Sequence, residues 1–155
     1  MLDLDSVTVI IVNYNAGSLL TRCVHAALEQ AQQVIVVDNA SSDSSVLNLE
    51  SEFSLENRLC IIRSESNIGF AAGCNKGLNA ATQPYILFLN PDCMLQSGTL
   101  KHLVQVLASD SNIGMVGGYL TNPDGSEQGG GRRAIPRGSR ARPGPTACVW
   151  ATTCR

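Results

Sequence analysis

The sequence holds no apolar run of the roughly 20 residues a membrane-spanning helix needs, and its six cysteines (23, 60, 74, 93, 148, 154) include no Cys-x-x-Cys pair. Without that spacing, a zinc site or a disulfide framework is the weaker reading. Cys23, Cys60 and Cys74 fall in patterns that look buried, where cysteine acts as a small hydrophobe. Gly-x-Gly-x-x-Gly and the Walker phosphate-loop pattern are also missing, which counts against a dinucleotide or ATP site. There is no excess of positive charge either: the formal net charge is -2, which excludes nucleic acid as the expected partner. The amino end, Met-Leu-Asp-Leu-Asp, lacks the basic start and longer apolar segment of a secretory signal, so the chain is expected to be cytoplasmic.

One absence is local. All 13 acids lie within residues 1–127, together with five bases, for a formal -8, whereas residues 128–155 carry six arginines and no acid, for +6. The two regions are not one design. The sequence predicts a folded domain over residues 1–128 and an Arg/Pro/Gly-rich loop and tail, disordered in isolation, over 129–155.

What remains is an ordinary core. With 155 residues, 44% hydrophobic and 15% charged, the chain can fold as one α/β domain. Four apolar runs of strand length each precede a segment with helical period. Val7–Asn13 leads to Leu19, Leu20, Cys23, Val24, Ala27 and Leu28. Val34–Val37 leads to Val46, Leu49 and Phe53, with Ser42 or Asp43 as candidate cap. Leu59–Ile62 leads to Phe70, Cys74 and Leu78, and Tyr85–Leu89 to Leu100, Leu103, Val104 and Leu107. Met115–Leu120 is a fifth strand candidate, weakened by Gly117 and Gly118. Runs without polar alternation imply strands covered on both faces. The expected fold is therefore α/β with an open, mostly parallel, doubly wound sheet.

Ligands of such sheets bind at the carboxyl ends of the strands, and the distinctive polar residues fall there: Asn13-Tyr14-Asn15, Asp38-Asn39, Asn67-Ile68-Gly69-Phe70 and Asn90-Pro91-Asp92. Each also suits a plainer role. Asn15 and Asn67 suit helix caps, Asp38-Asn39 suits a turn, and Tyr14 suits a surface aromatic. Their coincidence on one edge favours a site. The tripeptide Asn-Pro-Asp recurs at Asn122-Pro123-Asp124, where Gly125 completes a type I turn that needs no ligand. Asn90-Pro91-Asp92 instead follows the most apolar strand, which makes Asp92 the better ligand. A single carboxylate suits Mg²⁺ or Mn²⁺ on a diphosphate, since such ions take one or two carboxylates and fill the rest with phosphate and water oxygens. Gly69, Gly73 and Gly77 recur every four residues, which implies close approach of another element or of a ligand, close helix–sheet packing being slightly favoured. His25 and His102 read as structural, and Lys76 as a solvated charge.

Val9-Ile10-Ile11-Val12-Asn13-Tyr14-Asn15, Val36-Val37-Asp38-Asn39-Ala40-Ser41, Asn67 through Gly77 and Leu87-Phe88-Leu89-Asn90-Pro91-Asp92 resemble, in order and spacing, the motifs of family 2 glycosyltransferases, in the branch that includes bacterial rhamnosyltransferases. The resemblance implies a GT-A fold with a Rossmann-like nucleotide-binding half. It implies inverting transfer from a nucleotide diphosphate sugar, dTDP-rhamnose being one candidate, to a glycan or lipid-linked acceptor. By resemblance, Val12 and Tyr14 lie beside the nucleoside, Asp38 bonds the base, Asn67 and Asn90 belong to the nucleotide-sugar site, and Asp92 holds Mg²⁺ or Mn²⁺. Work at the inner face of the membrane, with only peripheral association, is implied as well. Asn90 replaces the first acid of the family's Asp-x-Asp, and Cys74 stands where many relatives have arginine. No counterpart of the acceptor region follows Gln128, so the catalytic base is expected beyond this chain. The alternatives are an inert nucleotide-sugar-binding fragment and, more distantly, a nucleotidyltransferase. The latter wants a glycine-rich basic loop after the first strand, and Asn15-Ala16-Gly17-Ser18 has no base before Arg22.

Overall fold

A computed structural model describes residues 6–128 and 147–151. Strand β1 (Val7–Asn13) is followed by helix α1 (Ser18–Leu28), β2 (Gln33–Asp38), α2 (Ser45–Glu52), β3 (Leu59–Arg63), α3 (Phe70–Leu78), β4 (Tyr85–Leu89), α4 (Thr99–Ala108), β5 (Met115–Gly117) and β6 (Ala147–Ala151). The strands form one sheet in the order β3-β2-β1-β4-β6-β5. Its pairings are parallel throughout. The α/β, open, parallel, doubly wound architecture expected from the sequence is the one observed.

Burial follows from that topology. All seven residues of β1 are buried, as a central parallel strand covered on both faces must be. Val7, Val9 and Ile11 turn toward the faces of α1, α2 and α4 and join the larger core with Val34, Val36, Leu87 and Leu89. Ile10 turns the other way, to Ile35, Val37 and Ile86, under α3. In α1 the buried stripe is Leu20, Cys23, Val24, Ala27 and Leu28, with Leu19 left at its exposed margin.

Several expectations need correction. The apolar residues of α3 do not face the sheet: Phe70 and Leu78 are 41% and 37% exposed, and the buried face is Gly73, Cys74 and Gly77. A β-carbon on Gly77 would lie 2.5 Å from Ile10 Cγ2, and one on Gly73 would lie 2.8 Å from Val12 Cγ1. The glycines therefore let the α3 backbone sit directly on the strands, and larger neighbours are pushed outward. Gly69 is a different case, standing at the helix N-terminus with φ 82°, a conformation that favours glycine.

Cys60 is exposed, because β3 is the edge strand of the sheet. The cap of α2 is Ser44, without a side-chain capping bond to the backbone; Asp43 Oδ1 instead accepts the Ser45 N–H at 3.1 Å. Finally, residues 147–151, within the segment expected to be an irregular tail, form β6 between β4 and β5. The run Ala-Cys-Val-Trp-Ala is short, apolar and rich in strand-favouring Val and Trp, but arginines, prolines and glycines before it obscure it. The rest of 129–155 lies outside the described residues. β5 ends at Gly117, short of Leu120, as its glycines foreshadow.

Candidate functional site

Chain order along the sheet reverses between β1 and β4: β2 and β3 lie on one side of β1, and β4 lies on the other. In such sheets this is where a crevice opens at the carboxyl edge. Asn13, Asp38 and Arg63 stand in register across β1, β2 and β3. Leu89 pairs with Ile11, so Asn90–Asp92 leaves β4 beside Val12–Tyr14. Three of the four polar clusters thus leave adjoining parallel strands at one edge, and the fourth, Asn67–Phe70, reaches it by its ties to Asn39.

The most ordered part of this edge is the Asn13–Asp38 pair. Asn13 is 0% exposed and Asp38 is 5% exposed. Asn13 Nδ2 lies 3.0 Å from Asp38 Oδ1, 3.0 Å from Ser41 Oγ and 2.9 Å from Ser45 Oγ. Asp38 Oδ2 accepts the Ser41 N–H at 3.3 Å. A buried carboxylate needs such partners, and each of its oxygens keeps a further lone pair for a ligand. Asn13 Oδ1 is buried with no hydrogen-bond partner among the described residues. Sequence reasoning places Asn13 in a cluster without giving it a role. The signal it lacks is the pairing with a residue 25 positions away.

The loops after β1 and β2 brace one another. Asn15 adopts φ 54° and Ala40 φ 61°, a region where non-glycine residues are uncommon. Asn15 Oδ1 accepts the N–H groups of Ser42 and Asp43 at 2.8 and 3.2 Å, so it ties loops together and caps no helix. Asp43 Oδ2 accepts the Gly17 N–H at 2.9 Å. The Ser45 hydroxyl on Asp43 holds that carboxyl below its usual range. Asn39 ties in the third cluster, with Nδ2 donating to Gly69 O at 3.2 Å and Oδ1 accepting the Ile68 N–H at 3.4 Å. Asn67 is exposed, and its Oδ1 accepts the Gly69 N–H at 2.9 Å, a local turn that opens α3.

Two further candidates differ in what they present. Tyr14 is 53% exposed at the mouth of the edge. Val12 is buried, and its side chain packs beneath Gly73, so it supports the floor of the site. Lys76 is not a free surface charge: Nζ donates to Arg63 O at 2.9 Å and to Ser64 Oγ at 3.1 Å, pinning α3 to the end of β3. His25 pairs with Glu52 at 2.5 Å and stacks edge-on against Phe53, a tie between α1 and α2 away from this edge.

Asn90-Pro91-Asp92 and Asn122-Pro123-Asp124 form the same turn. Cys93 N donates to Asn90 O at 3.0 Å, and Gly125 N donates to Asn122 O at 2.9 Å. Their surroundings differ. Asp124 is exposed and accepts the N–H and hydroxyl of Ser126 at 2.9 and 2.6 Å, which lower its pKa. The residue equivalent to Ser126 is Met94, which has no hydroxyl. The first turn is half-buried and stands on α1, where Cys23 Sγ donates to Asn90 O at 3.4 Å. Burial pushes the Cys23 thiol far up, helped by nearby Cys93 and Asp92, so it remains an S–H donor. A cavity of about 480 Å³ opens between the two turns, lined by Leu89, Cys93 and Met94 on one side and by Leu120, Asn122 and Pro123 on the other.

Among the described residues, no three His, Cys, Asp or Glu side chains gather to hold a metal. The oxygen donors at β4 are the Asp92 carboxylate and the Asn90 amide. That set fits a hard ion which draws most of its ligands from a diphosphate and water.

Residues 8–150 match the family model described as glycosyl transferase family 2. The chain belongs to that family. Among curated glycosyltransferases, it is 28% identical over 119 residues to glycosyltransferase GlyG of Streptococcus pneumoniae, covering 74% of this chain and 39% of that one. It is 29% identical over 124 residues to the putative teichuronic acid biosynthesis glycosyltransferase TuaG of Bacillus subtilis, covering 77% and 49%. Its fold matches GT-A glycosyltransferase structures. S. aureus TarS 1–349 in complex with UDP superposes with a TM-score of 0.65 at 21% identity, over 84% of this chain and 38% of that one. Mannosyltransferase PcManGT of Pyrobaculum calidifontis, in complex with GDP-Man and Mn²⁺, does so with a TM-score of 0.65 at 25% identity, over 74% and 36%. The chain spans well under two thirds of the length of these relatives. No helix among the described residues is long and apolar enough to cross a membrane.

Proposed function

We propose that this chain is the donor-binding part of an inverting glycosyltransferase that takes a sugar from a nucleotide diphosphate sugar, with dTDP-rhamnose a candidate donor, to a glycan or lipid-linked acceptor. The observation that carries this reading is the position of two carboxylates. Asp38, buried and held by Asn13, ends β2, and Asp92, in a turn held from α1, follows β4, on the opposite side of β1. A nucleotide lying across the end of β1 meets both.

In this arrangement Asp38 accepts an N–H of the base, which Asn13 and the Ser41 N–H prepare by fixing the carboxylate. Tyr14 packs against the base from the exposed side. Asn67 and Asn90 line the nucleotide-sugar crevice, and Val12 sets its floor. Asp92 and the Asn90 amide would hold Mg²⁺ or Mn²⁺ on the diphosphate. When bound, the ion supplies charge neutralisation for the leaving diphosphate. Relatives support the donor class: TarS has been crystallised with UDP-GlcNAc and PcManGT with GDP-Man and Mn²⁺. Inversion also needs a base to take the acceptor proton, and none of the residues named above is assigned that role. Peripheral attachment at the inner face of the membrane would bring a lipid-linked acceptor within reach.

A second reading stands beside it. In it, the chain is an inert nucleotide-sugar-binding fragment that binds donor without turning it over. Calorimetry with UDP and dTDP, with and without Mn²⁺, tests the site. Donor consumption with metal present separates enzyme from inert binder. Metal-dependent binding is expected, and the absence of any nucleotide binding would contradict both readings.

A further inference from the structure

We infer that Cys23 is a positioning residue: its thiol clamps the Asn90–Cys93 turn from behind and thereby fixes where Asp92 presents its carboxylate. The inference rests on the donor-site reading above for what Asp92 does, but the clamp itself stands on three geometric facts.

The Asn90 carbonyl closes the turn by accepting the Cys93 N–H at 3.0 Å. The same carbonyl accepts the Cys23 thiol at 3.4 Å, from a residue 67 positions earlier. A carbonyl oxygen has two lone pairs and can serve both donors. Cys23 itself cannot move far. It is 0% exposed in the middle of α1, with Leu20, Val24 and Ala27 also at 0% around it. Cys93, at the other end of the turn, is buried as well.

The second copy of the tripeptide shows what the thiol changes. The Asn122–Gly125 turn closes with an equivalent bond, yet it is stabilised through its carboxylate, which accepts from Ser126. The first turn is gripped at its carbonyl. Helix α1 also follows directly from the loop that carries Tyr14, so one rigid element links the two sides of the crevice. The plainer view of Cys23, a small apolar filler, accounts for its burial and does not account for the directed contact.

Three variants separate the two views. Cys23→Val removes the donor while keeping the position apolar, Cys23→Ser restores a donor, and Val24→Ala weakens the same helix face without touching the turn. By calorimetry with UDP and Mn²⁺, Cys23→Val should lose about three- to fivefold in the metal-dependent part of binding, the scale of one weak hydrogen bond. Metal-free binding should stay unchanged, and Cys23→Ser should recover at least part of the loss. Equal losses in Cys23→Val and Val24→Ala, parallel loss with and without metal, or no loss at all would overturn the inference. If the unmodified chain binds no nucleotide, the donor-site reading fails separately. Hydrogen exchange at the Cys93 amide then decides the clamp. Faster exchange in Cys23→Val but not in Val24→Ala upholds it, and unchanged exchange rejects it.

Discussion

Asn13 Nδ2 lies 3.0 Å from Asp38 Oδ1, between two residues that pair in register at the carboxyl ends of adjacent parallel strands. Both are buried, and the same amide also reaches Ser41 and Ser45. In the proposed site the pair would couple folding to function, because the group that would read a base is the group whose burial must be compensated. Asn13→Ala should therefore destabilise the domain by about 1–3 kcal/mol, the penalty of a buried polar group left short of a partner. Urea unfolding measures it. An effect below half a kilocalorie would show that Ser41 and water replace the amide.

The glycines of α3 make a steric prediction. Gly77→Ala places a methyl 2.5 Å from Ile10 Cγ2, and overpacking of this kind costs about 1–3 kcal/mol. Gly114 has open space around its β-carbon position and no positive φ, so Gly114→Ala should be neutral or slightly stabilising. Thermal melts of the two variants should differ clearly, and equal midpoints would remove the close-packing account.

Acid should reveal the Glu56–Arg58 pair. The Arg58 guanidinium on Glu56 lowers that carboxyl from 4.5 to about 2. A depressed folded-state pKa means that the unfolded chain takes up the proton first. The contribution is therefore fully present above about pH 4.5 and fades as pH falls toward 2. The stability difference between the wild-type chain and Glu56→Gln should be largest at neutral pH and vanish near pH 2. A difference that is flat with pH would contradict the assignment.

Thiol chemistry should rank the four cysteines of residues 6–128 by their burial. Cys60 is exposed on the edge strand, whereas Cys23, Cys74 and Cys93 are buried. Burial also raises the Cys74 thiol to about 11, and reactivity follows the thiolate. Brief alkylation at pH 8 followed by peptide mapping should label Cys60 well before the other three.

Much of this is legible in the sequence, for physical reasons. The bounds of β1 can be read directly, because an unbroken apolar run that stops at Asn-Tyr-Asn fits a buried strand ending at a polar edge. The edge where the polar clusters gather follows from parallel order alone. The face of α3 is not legible, because periodicity turns the largest apolar residues inward, whereas Gly73 and Gly77 permit a contact no larger residue could make. Asn13–Asp38 and Cys23–Asn90 join positions 25 and 67 residues apart, and nothing in local spacing signals such partners. Strand β6 is hidden by the composition of the residues before it.

The central claim is that a nucleoside diphosphate and its metal sit across β1 between Asp38 and Asp92. The most direct test is calorimetric titration of UDP and dTDP into the wild-type chain and Asp92→Ala, each with and without Mn²⁺. Binding should be tighter with Mn²⁺ in the wild type, at least tenfold weaker in Asp92→Ala when Mn²⁺ is present, and the same for both proteins without metal. Equal affinities for the two proteins in the presence of Mn²⁺ would contradict it.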